Sequence, residues 1–178
     1  YFTREYGTEA RAVVVRVVIV GAGEVGSNIA SSLADSHEVV VVDNDPERVE
    51  ELKYSLDVLA IHGDGASIET LEEAEVGDAD LLIASTDHDE TNLATCGTSK
   101  VLGDAFTIAR VKQVGFLRTW QRSSSAFGVD FMVCSNLLTA EDIVQIIGLP
   151  GAIDVERFAN DLVQMAEFEI GSDSPLVG

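Results

Sequence analysis

Short apolar runs alternate with amphipathic stretches along most of this chain, and the alternation begins at Arg16. Residues 17–20, 39–42, 58–61, 81–84, 105–109 and 131–134 are brief, largely apolar runs. Unbroken runs of this length suit strands buried on both faces. Between them the apolar positions recur at helical spacing. A first helix over 24–34 places Val25, Ile29 and Leu33 on one face. A second opens at Asn44-Asp45-Pro46, with Asp45 as cap and Pro46 at its first position, and carries Val49 and Leu52. A third follows the cap Ser67 and carries Ile68, Leu71 and Ala74, with acids at Glu69, Glu72 and Glu73. Further helices are expected over 89–102 and 116–127. Strands alternating with such helices specify an α/β fold, a Rossmann-like doubly wound parallel sheet.

Beyond the sixth strand the pattern changes. Residues 137–147 read as a crossover helix that is apolar around more than one face, through Leu137, Leu138, Ile143, Val144, Ile146 and Ile147. Such a helix either meets a partner or is buried within its own domain. Gly148-Leu149-Pro150-Gly151 breaks it, 154–158 predicts another short helix, and 162–170 reads as a terminal alternating strand. Three segments follow: 1–15 as a leader, linker or expression remnant, 16–136 as a nucleotide-binding domain, and 137–178 as the crossover helix and the start of a C-terminal subdomain.

The chemistry is concentrated at the first strand. Gly21-Ala22-Gly23-Glu24-Val25-Gly26 follows it directly, and the second strand ends in Asp43, 22 residues after Gly21. Gly21 allows a tight turn, Gly23 lets backbone approach a pyrophosphate, and Gly26 lets the helix pack closely. The helix N-terminus offers free N–H groups to an anion. Asp43 accepts from ribose hydroxyls and repels a 2′-phosphate. In a doubly wound sheet the ligand lies beyond the carboxyl ends of the strands. That adds Asn44 and Asp45, Gly63-Asp64-Gly65, Ser85-Thr86-Asp87 and Arg110 as candidates. Arg110 suits a phosphate through charge-assisted bonds, or a surface ion pair. Asp64 serves adenine or ribose, or caps the next helix, and Thr86 and Asp87 have the same two readings toward phosphate or a second ribose.

A catalyst is harder to find. Of the histidines, His37 lies at the wrong end of the sheet, His62 falls on the adenine side, and His88 belongs to an exposed loop. A Tyr-x-x-x-Lys pair is absent, and no length remains for a substrate domain after the sixth strand. The sequence favours binding over chemistry, with a small NAD-dependent oxidoreductase as the alternative.

Charge narrows the partners. Against 31 Asp and Glu stand only 11 Lys and Arg, a net charge of −20 that repels nucleic acid. The excess is spread along the chain, as in a protein adapted to a high-salt interior, where screening removes most self-repulsion. The other reading is an ordinary acidic bacterial protein. Unfolding followed against KCl separates them: adaptation predicts marked loss of stability in dilute buffer, and undiminished stability there excludes it. No apolar run approaches the ~20 residues of a membrane helix, so action at a membrane must pass through a partner. Cys96 and Cys134 form no metal-binding pattern and read as small buried residues in a reducing compartment.

Together Gly21-Ala-Gly-Glu-Val-Gly26, Val41-Val-Asp43-Asn-Asp45, Gly63-Asp-Gly65, Thr86-Asp-His-Asp-Glu-Thr-Asn92 and Ala109-Arg110 resemble the TrkA N-terminal family, the RCK or KTN domain. The segment 86–92 is its most specific piece, and the resemblance covers about 16–170. It implies a cytoplasmic regulatory subunit that binds NAD(H), or ATP and ADP, and controls a membrane potassium transporter or channel. It places ligand contacts on Gly21 to Val25, Asp43, Thr86, Asp87 and Arg110. It also implies dimers through the helix 137–147 and assembly into rings. Glu24 departs from the polar or basic residue often found there, and an acid facing the phosphates disfavours a triphosphate.

Overall fold

In the computed structural model, residues 14–123, 126–148, 152–158 and 163–171 are described. The chain divides into two compact units, Tyr1–Val133 and Cys134–Gly178. The first is built on strands β1 (Arg16–Val20), β2 (Glu38–Asp43), β3 (Leu59–His62), β4 (Leu81–Ala84), β5 (Phe106–Val111) and β6 (Phe131–Cys134). They form one parallel sheet in the order β3-β2-β1-β4-β5-β6. Val18 stands opposite Val40 on one side and Leu82 on the other. The central strands carry valine and isoleucine throughout because neither face meets water: Val17 to Val20 and Val40 to Val42 are all at most 2% exposed. Each such side chain is worth about 1.5 kcal/mol or more on burial.

Helices α1 (Glu24–Leu33), α2 (Pro46–Ser55), α3 (Ile68–Glu73), α4 (Asp89–Leu102) and α5 (Val114–Arg122) connect the strands. Ala30 of α1 and Val49 and Leu52 of α2 pack on Val17, Ile19, Val39 and Val41, the alternate residues of one sheet face. Asp45 caps α2 by accepting from the Glu47 N–H at 2.9 Å, with Pro46 at the first position. Ser67 caps α3, accepting from the Thr70 N–H. Both caps match the sequence reading. Strand order reverses between β1 and β4, which opens a crevice at their carboxyl ends.

Two elements differ from expectation. The fifth helix ends at Arg122 rather than near Phe127, because Ser123 takes extended backbone at φ −148°. The chain then folds back: Trp120 Nε1 donates to the Val129 carbonyl at 2.8 Å, and Phe127 meets Phe116 edge-on, centroids 6.1 Å apart. A 3-10 turn, Ala126–Gly128, holds Phe127 at φ 64°.

The short helix expected over 154–158 is instead part of strand β7 (Ala152–Phe158), paired antiparallel with β8 (Val163–Phe168) in the second unit. The register is irregular between Ala152 and Asp154, so the alternation expected of a strand is broken there. The second unit also holds α6 (Ser135–Gly148). Its Leu138, Ile143 and Val144 are 50%, 53% and 66% exposed, which favours a surface over burial. Among the described residues no helix is long and apolar enough to cross a membrane.

Candidate nucleotide site

The crevice is a cavity of about 570 Å³ walled by the carboxyl ends of the strands and the first turns that follow them. Gly21, Gly23, Glu24 and Val25 line it from the first loop, Asp43 and Asn44 from the second, Asp64 from the third, Thr86 and Asp87 from the fourth, and Arg110 from the end of β5. Gly63, Gly65 and Ser85 line it as well.

Ala22 and Gly26, expected in the wall, act from behind it. The Ala22 N–H donates to Asp43 Oδ2 at 2.5 Å, which fixes the loop to the end of β2. Gly26 lies against the loop's own backbone, where a Cβ would sit 1.7 Å from the Gly21 carbonyl oxygen. Gly21 has φ +104°, a left-handed value that glycine adopts without strain. Its N–H donates to the Val42 carbonyl at 2.8 Å. A Cβ on Gly23 would meet only Arg48 Nη1, at 3.7 Å, so the cavity side of the loop is open to close approach.

Asp43 is 7% exposed and accepts from backbone on both oxygens, Oδ2 from Ala22 and Oδ1 from the Asp45 N–H at 2.8 Å. A carboxylate has about four acceptor positions, so these bonds orient Asp43 and leave capacity for ribose hydroxyls. Asp64 lines the cavity and accepts from the Ala66 N–H at 2.9 Å within the loop, while the cap of α3 is Ser67 and not Asp64. Arg110 is one-fifth exposed; its Nη1 reaches the Thr86 carbonyl at 3.4 Å, and its buried Nε has no hydrogen-bond partner. An under-satisfied guanidinium beside a glycine loop fits a phosphate group.

Arg48 was not anticipated. It stands on α2, three residues after the cap Asp45 and 3.5 Å from its carboxylate, and lines the cavity. Its signal lay in helical phase: a residue in the first turn of the helix after β2 faces the same crevice as Asp43. His88 also lines the cavity, whereas His62 Nε2 lies 3.1 Å from the Asn44 carbonyl and His37 Nδ1 accepts from the Val15 N–H at the opposite end. Among the described residues no group of three or more His, Cys, Asp or Glu is arranged to hold a metal ion. Burial pushes the Cys96 thiol up to about 12, which leaves it unreactive.

Residues 17–134 of this parallel sheet, with its glycine loop, match the TrkA-N domain family. The chain belongs to that family. Trk system potassium uptake protein trkA homolog 1 of Methanosarcina mazei is 40% identical over 171 residues, covering 92% of this chain and 42% of that protein. The chain thus spans about two fifths of the length of the curated relatives it matches. The TrkA-N domain of the Escherichia coli inner membrane protein ybaL superposes with a TM-score of 0.67 at 22% identity, over 76% of this chain and 98% of that one. The GsuK channel bound to NAD gives 0.65 at 18% identity, over 84% and 26%, and GsuK bound to ADP gives 0.59 at 20%, over 68% and 31%. At these identities the structures establish the shared fold.

In this TrkA-N domain the segment 86–92 acts through a buried amide. Asn92 is 0% exposed, and its Oδ1 accepts from the Thr86 N–H at 2.9 Å and the Thr86 hydroxyl at 2.6 Å. Its Nδ2 donates to the carbonyls of Thr86, at 3.0 Å, and Arg110, at 2.8 Å. One turn earlier the Asp89 carboxylate accepts from the N–H groups of Lys112 and Gln113, and one turn later the Thr95 hydroxyl donates to the Gly65 carbonyl at 2.9 Å. One face of α4 therefore fastens the ends of β4 and β5 and the loop after β3. Asp87 faces outward, 71% exposed, and accepts from Lys112 Nζ at 3.0 Å. That bond and the Lys112 charge hold its carboxyl below the usual range, with Arg110 and Arg48 adding in the same direction.

Proposed function

We propose that this chain is the nucleotide-binding part of a cytoplasmic regulatory subunit, that it binds NAD(H), with ATP or ADP as the alternative ligand, and that it controls a membrane potassium transporter or channel. The observation that carries the reading is one cavity walled by Gly21, Gly23, Asp43 and Arg110. The residues fit the dinucleotide. The open side of Gly23 and the N-terminus of α1 suit a pyrophosphate, Arg110 supplies a partly unsatisfied cation, and the oriented Asp43 suits an unphosphorylated ribose. The names of the relatives supply the potassium system, and the NAD-bound GsuK channel supports the ligand.

Among the described residues the cavity wall carries glycine loops, four carboxylates, two arginines and His88, a set we read as binding a nucleotide rather than transforming it. Work at a membrane passes to a partner subunit. The exposed apolar face of α6 suits a second copy of the chain, giving a homodimer from which rings are built. The ligand bridges the glycine loop and the ends of β4 and β5, and acts by its differential affinity for two dimer geometries.

Calorimetric titration of the wild type and Asp43→Ala with NADH, NADPH, ATP and ADP tests the site. Wild type is expected to bind NADH well above NADPH, and Asp43→Ala to narrow that gap about tenfold. Equal binding of the two by wild type contradicts the role of Asp43. Small-angle scattering of the same samples tests the mechanism: an unchanged particle shape with and without ligand rules out a shift between dimer geometries.

A further inference from the structure

Arg110, a cation of the cavity wall, already lies near an anion that belongs to the protein. Asp87 Oδ1 lies 3.0 Å from Lys112 Nζ and 3.9 Å from Arg110 Nη1, and Lys112 Nζ also donates to the Asp87 carbonyl at 3.2 Å. The other carboxylates of the wall are disposed differently. Both oxygens of Asp43 are bonded to backbone N–H groups, Asp64 accepts from Ala66, and Glu24 is exposed in the first turn of α1. Arg48, the second arginine of the wall, leans on Asp45 at 3.5 Å. Of the wall's four carboxylates, Asp87 is thus the one set beside Arg110, the cation that a ligand phosphate would use.

We propose that Asp87 is a specificity-determining residue: a resident carboxylate with which an incoming phosphate chain must share Arg110. This rests on the nucleotide reading of the same cavity. Each added negative charge on the ligand meets Asp87 as well as Glu24, and like charges that line one cavity disfavour one another, less so as salt screens them. A triphosphate carries about twice the negative charge of a dinucleotide's pyrophosphate bridge, so its penalty is the larger. Asp87 thereby turns a cradle suited to phosphates in general into one that takes the dinucleotide over the nucleoside triphosphate. Its outward position, 71% exposed, means that it can do this without a part in the fold.

The test is titration of the wild type and Asp87→Asn with NADH, ADP and ATP, followed by calorimetry at two ionic strengths. Asparagine keeps the size and polarity of the side chain and removes its charge. ATP affinity is expected to rise about tenfold, ADP affinity by less and NADH affinity by about threefold at most, with the ATP gain shrinking in high salt. A fall in affinity for all three would make Asp87 a direct ligand contact and overturn the proposal. Equal gains for all three, or no change in any, would overturn it too. If neither protein binds any of the three nucleotides while both remain folded by Trp120 fluorescence, the nucleotide reading itself fails and takes this one with it.

Discussion

Gly26→Ala is expected to destabilise the domain by about 3 kcal/mol, against the usual sign for this substitution in a helix. In the interior of a helix alanine is favoured over glycine by about 1 kcal/mol. Here the new Cβ would lie 1.7 Å from the Gly21 carbonyl oxygen, 2.9 Å from its carbon and 3.0 Å from Ser85 Oγ. These are mostly backbone atoms with no rotamer to yield. Nor is the loop free to retreat: the Gly21 N–H is bonded to Val42 and the Ser85 N–H to Val20, each at 2.8 Å, so both flanks are tied into the sheet. The helix must move outward, which opens the contacts of Ala30 with the core beneath it. Urea unfolding reads the effect directly, and a midpoint equal to or above wild type would show that the loop yields more easily than its hydrogen bonds indicate.

The same loop shows how far the sequence was legible. The spacing of its three glycines and the acid at Asp43 located the crevice, because each residue's task there is local or one strand away. Features that depend on distant partners were not legible. Arg48 enters the cavity because α2 starts directly after β2 and packs on β2 and β3, and a reading confined to strand ends passes over a residue in the first turn of a helix. Asn92 stood out as part of a recurring segment, but its partners lie six and eighteen residues away and meet it only when β4 and β5 pair. At 154–158 the apolar residues Val155 and Phe158 are three apart, a helical spacing. The segment becomes a strand because 163–168 offers a ladder, Val155 opposite Ala166 and Phe158 opposite Val163. In the fifth helix the apolar pattern runs on to Phe127, yet the chain turns back to satisfy Trp120 and the Phe116–Phe127 contact.

Asn92→Ala is expected to lower nucleotide affinity at least tenfold and stability by about 3 kcal/mol, because one fully buried side chain bonds four groups at the ends of two strands. All four hydrogen-bonding positions of the amide are used, within 3.0 Å, and the residue is fully buried. Alanine leaves the Thr86 N–H, hydroxyl and carbonyl and the Arg110 carbonyl without their amide partner, and removes the link that holds the ends of β4 and β5 in register. Thr86 and Arg110 both face the cavity, so the loss of affinity follows from misplacement of the wall rather than from any contact with ligand. Stability alone would not distinguish this from an ordinary buried defect. Thr107→Val supplies the contrast: Thr107 is equally buried, and its hydroxyl donates to the Gly128 carbonyl at 2.7 Å in a network with Asp130 that lies outside the cavity wall. It is expected to cost about 1–2 kcal/mol and to leave NADH affinity within about twofold of wild type. If NADH affinity falls in both variants in proportion to their loss of stability, Asn92 supports the fold and nothing more; a fall confined to Asn92→Ala identifies it as the residue that positions the site.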